Sequence, residues 1–335
     1  MFNTEKLRKD ARSIFEAGLQ AVEPEACVRR VVRMEGEKLF VGDRMIDLSD
    51  YPKIAVLGMG KASVAMGKAL EGILGDRISE GWINTKYGHG MPLQHIHVHE
   101  CGHPVPDEAG VRGTEALIAL ADRADAQTLV LCVISGGGSS LSPAPAEGIT
   151  LFEKQEMTRL LLGCGATIHE LNAIRKHLSR IKGGRLARLL APARGIALVM
   201  SDVVGDALDV IASGPMVADS SSFENGLEII LKYALSDRIP QAVLRHFEDG
   251  ARGKIEETPK KGDPAFLGVQ HQMVGSNREA IVAARDRAEG LGYHTMILSS
   301  QIEGETKDVA KVHTGIAKEI VVSGNPIPRP ACVLS

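Results

Sequence analysis

The sequence predicts an α/β protein: a mostly parallel β-sheet covered by helices on both faces, followed by a second, smaller and incomplete α/β domain. Three observations predict it. Apolar runs of strand length alternate with amphipathic helical stretches through most of the chain, the pattern of β-α-β units. The composition is aliphatic, with 44% hydrophobic but only 4% aromatic residues and 36 glycines against one Trp, which suits such units better than a β-sandwich. The length, 335 residues, accommodates two domains of about 100 to 200 residues each.

The elements follow in order. Asn3 or Thr4 caps an opening helix in which Leu7, Ile14, Phe15 and Leu19 recur at helical spacing. Lys38 to Leu48 reads as a hairpin around Gly42 and Asp43, a pair suited to a tight turn. Lys53 to Ser63 is a strand ending in glycines, and SVAMGKALEGIL continues as a helix. GWINTK, HIHVHE, TLVLCVIS and GIALVMSD read as further strands. Helices are expected at EAGVRGTEALIALADRA, at LFEKQEMTRLLLG and through ELNAIRKHLSRIKGGRLARLL. Ser213 to Gly226, rich in Gly, Pro and Ser, is a loop that leads toward a boundary. A second β/α run then begins at HQMVGSN and ends on the strand RPACVLS, so the domains are expected at 1–240 and 241–335. A buried parallel strand needs a covering crossover after it, so a longer parent protein is expected to continue past Ser335.

Composition narrows the function classes. The formal charge of -3 nominates neither nucleic acid nor an anionic membrane as a partner, which leaves a small molecule. Cys27, Cys101, Cys132, Cys164 and Cys332 are scattered and never form CxxC, as expected of reduced thiols in the cytoplasm. No signal-peptide core and no run of 18 apolar residues occurs.

Two glycine-rich bends follow strands. Gly58-Met59-Gly60-Lys61-Ala62-Ser63 approximates the dinucleotide fingerprint GxGxxG, but GWINTK ends in Lys86 and Tyr87 where an NAD site needs a ribose-binding acid. Lys86 would suit the extra phosphate of NADP, so a reductase stays open. Lys61 sets an ammonium beside a strand-terminal turn and a helix start, which favours a polyphosphate; the alternative is a glycine turn needed only for packing. The second bend, Ser135-Gly136-Gly137-Gly138-Ser139-Ser140, can turn successive N–H groups inward as an anion nest and add hydroxyl donors, where the alternative is a plain connector.

Other candidates are acidic or basic. Asp202 and Asp206 in SDVVGD end a strand and suit Mg²⁺ ligation or acceptance of a hydroxyl proton, against the alternative of a cap and a surface turn. His95, His97 and His99 share one strand face at about 6.5 to 7 Å spacing without a diagnostic metal partner. They read as partly exposed strand histidines, which leaves His103 in CGHPVPDE as the site candidate. Arg175 and Lys176 open a basic segment that is either a solvated helix face or a clamp for an acidic substrate.

In order, LGMGKAS, KYGHG, CGHPVPDEAG, ISGGGSSLSPAP, LNAIRKHLSRIKGG, SDVVGD, VIASGPMVAD and GSNREA resemble the class II glycerate 2-kinase family, over almost the whole chain. Members of that family have also carried the label hydroxypyruvate reductase, notably in tartrate-degradation operons. The resemblance implies ATP- and Mg²⁺-dependent phosphorylation of D-glycerate on a large Rossmann-like domain facing a smaller C-terminal one. It implies Lys61 as the phosphate-contacting lysine, SGGGSS as the phosphate loop, Asp202 as the acid of the SDV motif, and Arg175 with Lys176 as the RKHLS signature. Ser276 and Asn277 match its GSN turn. The family's later Gly-Gly-Glu-Thr and Gly-Arg-Asn motifs lie beyond the strand resembling ACVLS and have no counterpart in these residues. The expected partner is glycerate or hydroxypyruvate, with a homodimer admitted. The rival expectations are an NAD(P)H-dependent hydroxypyruvate reductase and a ligand-binding remnant without turnover.

Overall fold

The computed structural model describes residues 4–335; Asn3, one of the two candidate caps, lies outside them. In chain order the elements are α1 (Thr4–Ala21), α2 (Pro24–Val31), β1 (Val32–Glu35), β2 (Lys38–Val41), β3 (Arg44–Asp47), β4 (Lys53–Met59), α3 (Ser63–Leu74), β5 (Ile78–Lys86) and β6 (His97–Cys101). Then follow α4 (Glu108–Asp122), β7 (Thr128–Ile134), α5 (Gly138–Leu141), α6 (Leu151–Gly163), α7 (Ile168–His177), α8 (Arg185–Leu190) and β8 (Arg194–Met200). The chain closes with α9 (Phe223–Lys232), α10 (Gln241–Ala251), β9 (Val269–Gly275), α11 (Asn277–Gly290), β10 (His294–Ile297), α12 (Thr306–Ser323) and β11 (Ala331–Leu334).

Two compact units emerge, and neither is continuous in sequence. The larger comprises 28–200 and 207–274, the smaller 1–27, 201–206 and 275–335. This differs from a division at 240, for two physical reasons. The apolar stripe of α1 packs on α11, so the first helix joins the last segment, with Gly18 letting the two backbones approach. The strand in HQMVGSN, expected to open the second domain, instead forms β9 at the edge of the larger unit's sheet.

The larger unit is built on a six-stranded sheet of order β6-β5-β4-β7-β8-β9. The pairs β4/β5, β4/β7, β5/β6 and β7/β8 are parallel. Bonds from Gly195 N–H to Gly268 O and from Ser201 N–H to Gly275 O run in the same sense, so β9 is parallel too. Every residue of β7 is buried, as befits a central parallel strand covered on both faces, where alternation disappears. Ile83 and Asn84, successive residues of β5, face opposite ways: Gly67 of α3 lies against the first and Gly113 of α4 against the second. The two helices therefore cover opposite faces.

The expected hairpin is present as β2 and β3, with β1 added as a third antiparallel strand that the sequence reading did not include. The long basic helix expected over Glu170 to Leu190 is two helices. The first ends at His177, and Gly183 and Gly184, with φ of +58° and +83°, form the turn that leads into the second at Arg185. Helices α9 and α10 stand where no element had been assigned, and they pack with α6 and α7 around Met157, Leu161, Ile174, Phe223 and Phe247.

The smaller unit carries α1, α11 and α12 with the parallel pair β10/β11. Ile14, Ala284 and Ala288 form its buried cluster, and Tyr293 Oη donates to Asp10 Oδ2 at 2.8 Å.

Candidate active site

Strand order places the first site. From β4 the chain proceeds outward through β5 to β6, then returns to the other side of β4 with β7 and proceeds through β8 to β9. The loops after β4 and β7 thus leave adjacent parallel strands in opposite directions, which opens a crevice at their carboxyl ends. These are the two glycine-rich bends singled out in the sequence.

The bends are interlocked. Ser135 N–H donates to Met59 O, Lys61 N–H to Gly136 O and Ala62 N–H to Ser135 Oγ, each at 3.0 Å, and Gly60 N–H donates to Asn84 O at 3.2 Å. At Gly60, with φ of +134°, a Cβ would stand 2.2 Å from Ser135 Oγ, so only glycine admits this approach. A Cβ at Gly58 would meet Ile83 at 2.5 Å and Val133 at 2.8 Å. Gly58 and Gly60 thus serve close packing, and the first bend spends its amides on β5 and the second bend instead of presenting them as a cradle. Its contribution to a ligand is the exposed side chain of Lys61.

The second bend winds directly into the short helix α5. Gly138 N–H donates to Ser135 O at 3.2 Å, and Ser140 and Leu141 N–H both donate to Gly137 O at 3.1 Å. The N–H groups of Gly136, Gly137 and Ser139 have no acceptor among the described residues and are available to an anion. Gly137 has φ of +85°, and its open side is covered by His103, whose Nε2 lies 2.8 Å from where a Cβ would be. Ser140 Oγ is tied back to Gly137 O at 3.3 Å and Ser135 Oγ to Ala62 N–H. Ser139, half-buried, instead pairs through its hydroxyl with the buried Ser213 Oγ at 3.0 Å.

Helix α7 supplies the basic residues and one further polar side chain, Asn172. Thr167 and Glu170 form a capping box at its start, and Asn172, Arg175 and Lys176 follow at i, i+3 and i+4 on one side. Lys176 is buried, its ammonium 3.1 Å from Asp219 Oδ1 and 3.5 Å from Asp209 Oδ2. It braces the loop beneath the site and has no charge left to clamp a substrate. Burial works to raise the Asp219 carboxyl, but Lys176 and the Ser221 N–H outweigh it and hold it below the ordinary carboxylate value. Arg175 is half-buried, and burial pulls its guanidinium down, though not enough to discharge it.

Asn172 Oδ1 accepts from Ser213 Oγ at 2.9 Å, while Asn172 Nδ2 is buried without a partner, a defect that costs about 1–3 kcal/mol. Ala212 and Ser213 hold φ of +52° and +60°, unusual for residues with a Cβ. Gly183 and Gly184 N–H clamp this turn through Ser213 O and Gly214 O at 3.0 and 2.8 Å. Such strain, over-determined by its surroundings, is a mark of functional loops. Nothing in the one-letter string announces it, because φ of a serine is decided by its neighbours in space.

Two lysines lie buried behind Arg175. Lys182 Nζ donates to Ser142 O at 3.0 Å and Lys154 Nζ to Leu178 O at 2.6 Å, so they tie down the ends of the glycine loop and of α7. Burial, then the nearby charge of Arg175, pulls Lys182 down to about 7. Lys154 is also well below the ammonium range, through burial and then the charges of Lys182 and Arg175. In the unfolded chain a lysine titrates near about 10.4. Between about pH 7 and that value the unfolded state binds more protons, so the Lys182 contribution makes stability rise with pH. Between pH 7 and 9 wild type is expected to gain on the order of 2 kcal/mol over Lys182→Met, measured as urea-unfolding free energies of both proteins at each pH. A constant gap between the two would show that Lys182 does not titrate there.

The remaining candidates belong to the smaller unit. Asp202 is exposed, and Asp206 sits at φ of +53° after Gly205 at +79°. Ser201 N–H donates to Gly275 O at 2.9 Å, so the SDV and GSN motifs lie side by side. Ser276 precedes α11 but its hydroxyl does not cap the helix, and Asn277 Nδ2 donates to Ser300 O at 3.1 Å. Among the described residues no group of three His, Cys, Asp or Glu could enclose a metal ion. Mg²⁺ needs no such cage, since it binds through one or two carboxylates together with substrate phosphates and water, and an exposed Asp202 with Asp206 in the same turn fits that donor set. The histidine face is explained by stacking: His97 lies on Trp82 with ring centroids 4.1 Å apart, and His99 Nε2 bonds Ala109 O at 2.8 Å.

Comparison with known proteins gives consistent results. Residues 10–248 match the family described as Domain of unknown function (DUF4147). The chain is 38% identical to glycerate 2-kinase of Pyrococcus horikoshii over 94% of its own length and 70% of that protein's. It is 36% identical to D-glycerate 2-kinase of Thermotoga maritima over 100% of its length and 74% of that protein's. The crystal structure of glycerate kinase from Thermotoga maritima superimposes with a TM-score of 0.82 at 34% identity, covering 98% of this chain and 73% of that one.

Proposed function

Because the chain belongs to the DUF4147 family and is similar to these glycerate kinases over most of its length, we propose that it transfers the γ-phosphoryl group of ATP to the 2-hydroxyl of D-glycerate. One observation carries the reading at the level of chemistry: two interlocked bends at the switch point of a parallel sheet expose three unpaired N–H groups and a lysine. Phosphoryl transfer asks for positioning and charge neutralisation and little else. The N–H groups of Gly136, Gly137 and Ser139 orient phosphate oxygens, and Lys61 offsets the charge spread over the transferred group. Arg175 takes the carboxylate of glycerate, since a planar guanidinium matches it bidentately. His103 stands against Gly137, in the space that a Cβ there would take. Asp202 and Asp206 would hold Mg²⁺. Lys86, at the end of β5, leaves the ribose of NAD without its acidic partner, which speaks against the reductase.

The test supplies ATP, Mg²⁺ and D-glycerate in one reaction and NADPH with hydroxypyruvate in another. Glycerate-dependent ADP and 2-phosphoglycerate are expected in the first, with no cofactor oxidation in the second. NADPH consumption without phosphoglycerate would reverse the assignment.

A further inference from the structure

The chain Ser139–Ser213–Asn172 fixes the direction of its own hydrogen bonds. Asn172 Oδ1 can only accept, so the bond of 2.9 Å takes the proton of Ser213. Ser213 Oγ then has no proton for Ser139, and the contact of 3.0 Å requires Ser139 to be the donor. With its proton committed inward, the half-buried Ser139 turns lone pairs toward the open side of the loop. A phosphate oxygen, itself an acceptor, finds no partner there; an O–H does. The turn that carries Ser213 is strained at two residues and clamped by two backbone bonds, and Asn172 and Ser213 are 3% and 1% exposed, so the polarity is built into the fold.

We propose that Ser139, oriented through Ser213 by Asn172, reads the non-reacting 3-hydroxyl of the acceptor substrate and so selects hydroxylated over simple 2-hydroxy acids. This rests on the kinase reading above. The reacting hydroxyl is excluded because it must shed a proton during attack, and a neutral serine whose proton is already committed is a poor sink for it. A site that hydrogen-bonds a substrate hydroxyl discriminates strongly against the analogue lacking it. Ser139 is the contact residue; Ser213 and Asn172 position it.

The experiment compares D-glycerate with D-lactate, which keeps the 2-hydroxyl and carboxylate but lacks the 3-hydroxyl. kcat/KM is measured for both acids, with KM for ATP in parallel and calorimetric Kd for both acids. Ser139→Ala and Ser213→Gly are each expected to shrink the glycerate-over-lactate preference at least about tenfold with little change in KM for ATP. Ser213→Gly also relaxes the left-handed backbone, and Ser139→Ala leaves that turn and the Asn172 bond in place. Asn172→Asp keeps an acceptor for Ser213 and should retain the preference, whereas Asn172→Leu should lose it. An unchanged preference in Ser139→Ala or Ser213→Gly overturns the proposal, as does a rise in KM for ATP in place of the altered preference, or an Asn172→Asp variant as impaired as Asn172→Leu. A wild type that binds glycerate without phosphorylating it refutes the kinase reading alone, and the two Kd values then decide this one. A wild type that binds neither acid refutes both.

Discussion

Lys61→Ala lowers kcat by about 10²–10³-fold, the usual consequence of removing one group that meets developing charge, while the urea-unfolding midpoint stays at the wild-type value. The separation is expected because the side chain is exposed, and what fixes the bend is its backbone: Lys61 N–H bonds Gly136 O whatever the side chain is. A transition-state contact should depress kcat and kcat/KM together. Steady-state kinetics with ATP and D-glycerate checks this, and near-normal turnover would remove Lys61 from the mechanism. A raised KM at unchanged kcat would make it a ground-state binding group.

Asp219→Ala has the largest expected effect on stability. It strips the buried Lys176 of its nearer carboxylate and leaves it with Asp209 at 3.5 Å, whose side chain is 40% exposed. Breaking a buried pair from one side costs about 3–5 kcal/mol, because an uncompensated charge remains. The bonds from Ser221 N–H and Oγ and from Thr258 Oγ1 to Asp219 are lost as well. Equilibrium unfolding in urea measures the loss, and the double variant Lys176→Met/Asp219→Leu should recover most of it. A single variant as stable as wild type would mean that Asp209 alone satisfies the lysine. The same pair confers a pH dependence: the carboxyl is depressed in the folded state, so its contribution is present above about pH 3.9 and lost as pH falls through the folded value.

Much of the site was legible in the residues. Lys61 and the run Ser135 to Ser140 stand out because a strand's apolar run ends abruptly in glycine, and adjacent strands bring them together as the motif order suggests. The division of labour inside the site was not legible. Gly58 and Gly60 resemble a fingerprint in the string, yet their lack of a Cβ is used against Ile83, Val133 and Ser135. Lys176 stands next to Arg175 in sequence, but one turns to Asp219 while the other stays half-open, a choice made by helix geometry and by residues over forty positions away. Asn172, Lys182 and Ser213 stand inside the quoted motifs LNAIRKHLSRIKGG and VIASGPMVAD, but their roles, like that of Lys154, arise only from what surrounds them in space.

By itself the sequence determined the alternation of strands and helices, the parallel sheet and the two bends that follow its central strands. Those are consequences of apolar periodicity and of glycine's conformational range, which act within a few residues of the chain. Only the tertiary structure decided that the first helix joins the last segment, that β9 completes the larger sheet, and that Ser139 meets Ser213. Each of these depends on burial and hydrogen-bond partners contributed from distant parts of the chain, and such partners exist only once the backbone has closed around them.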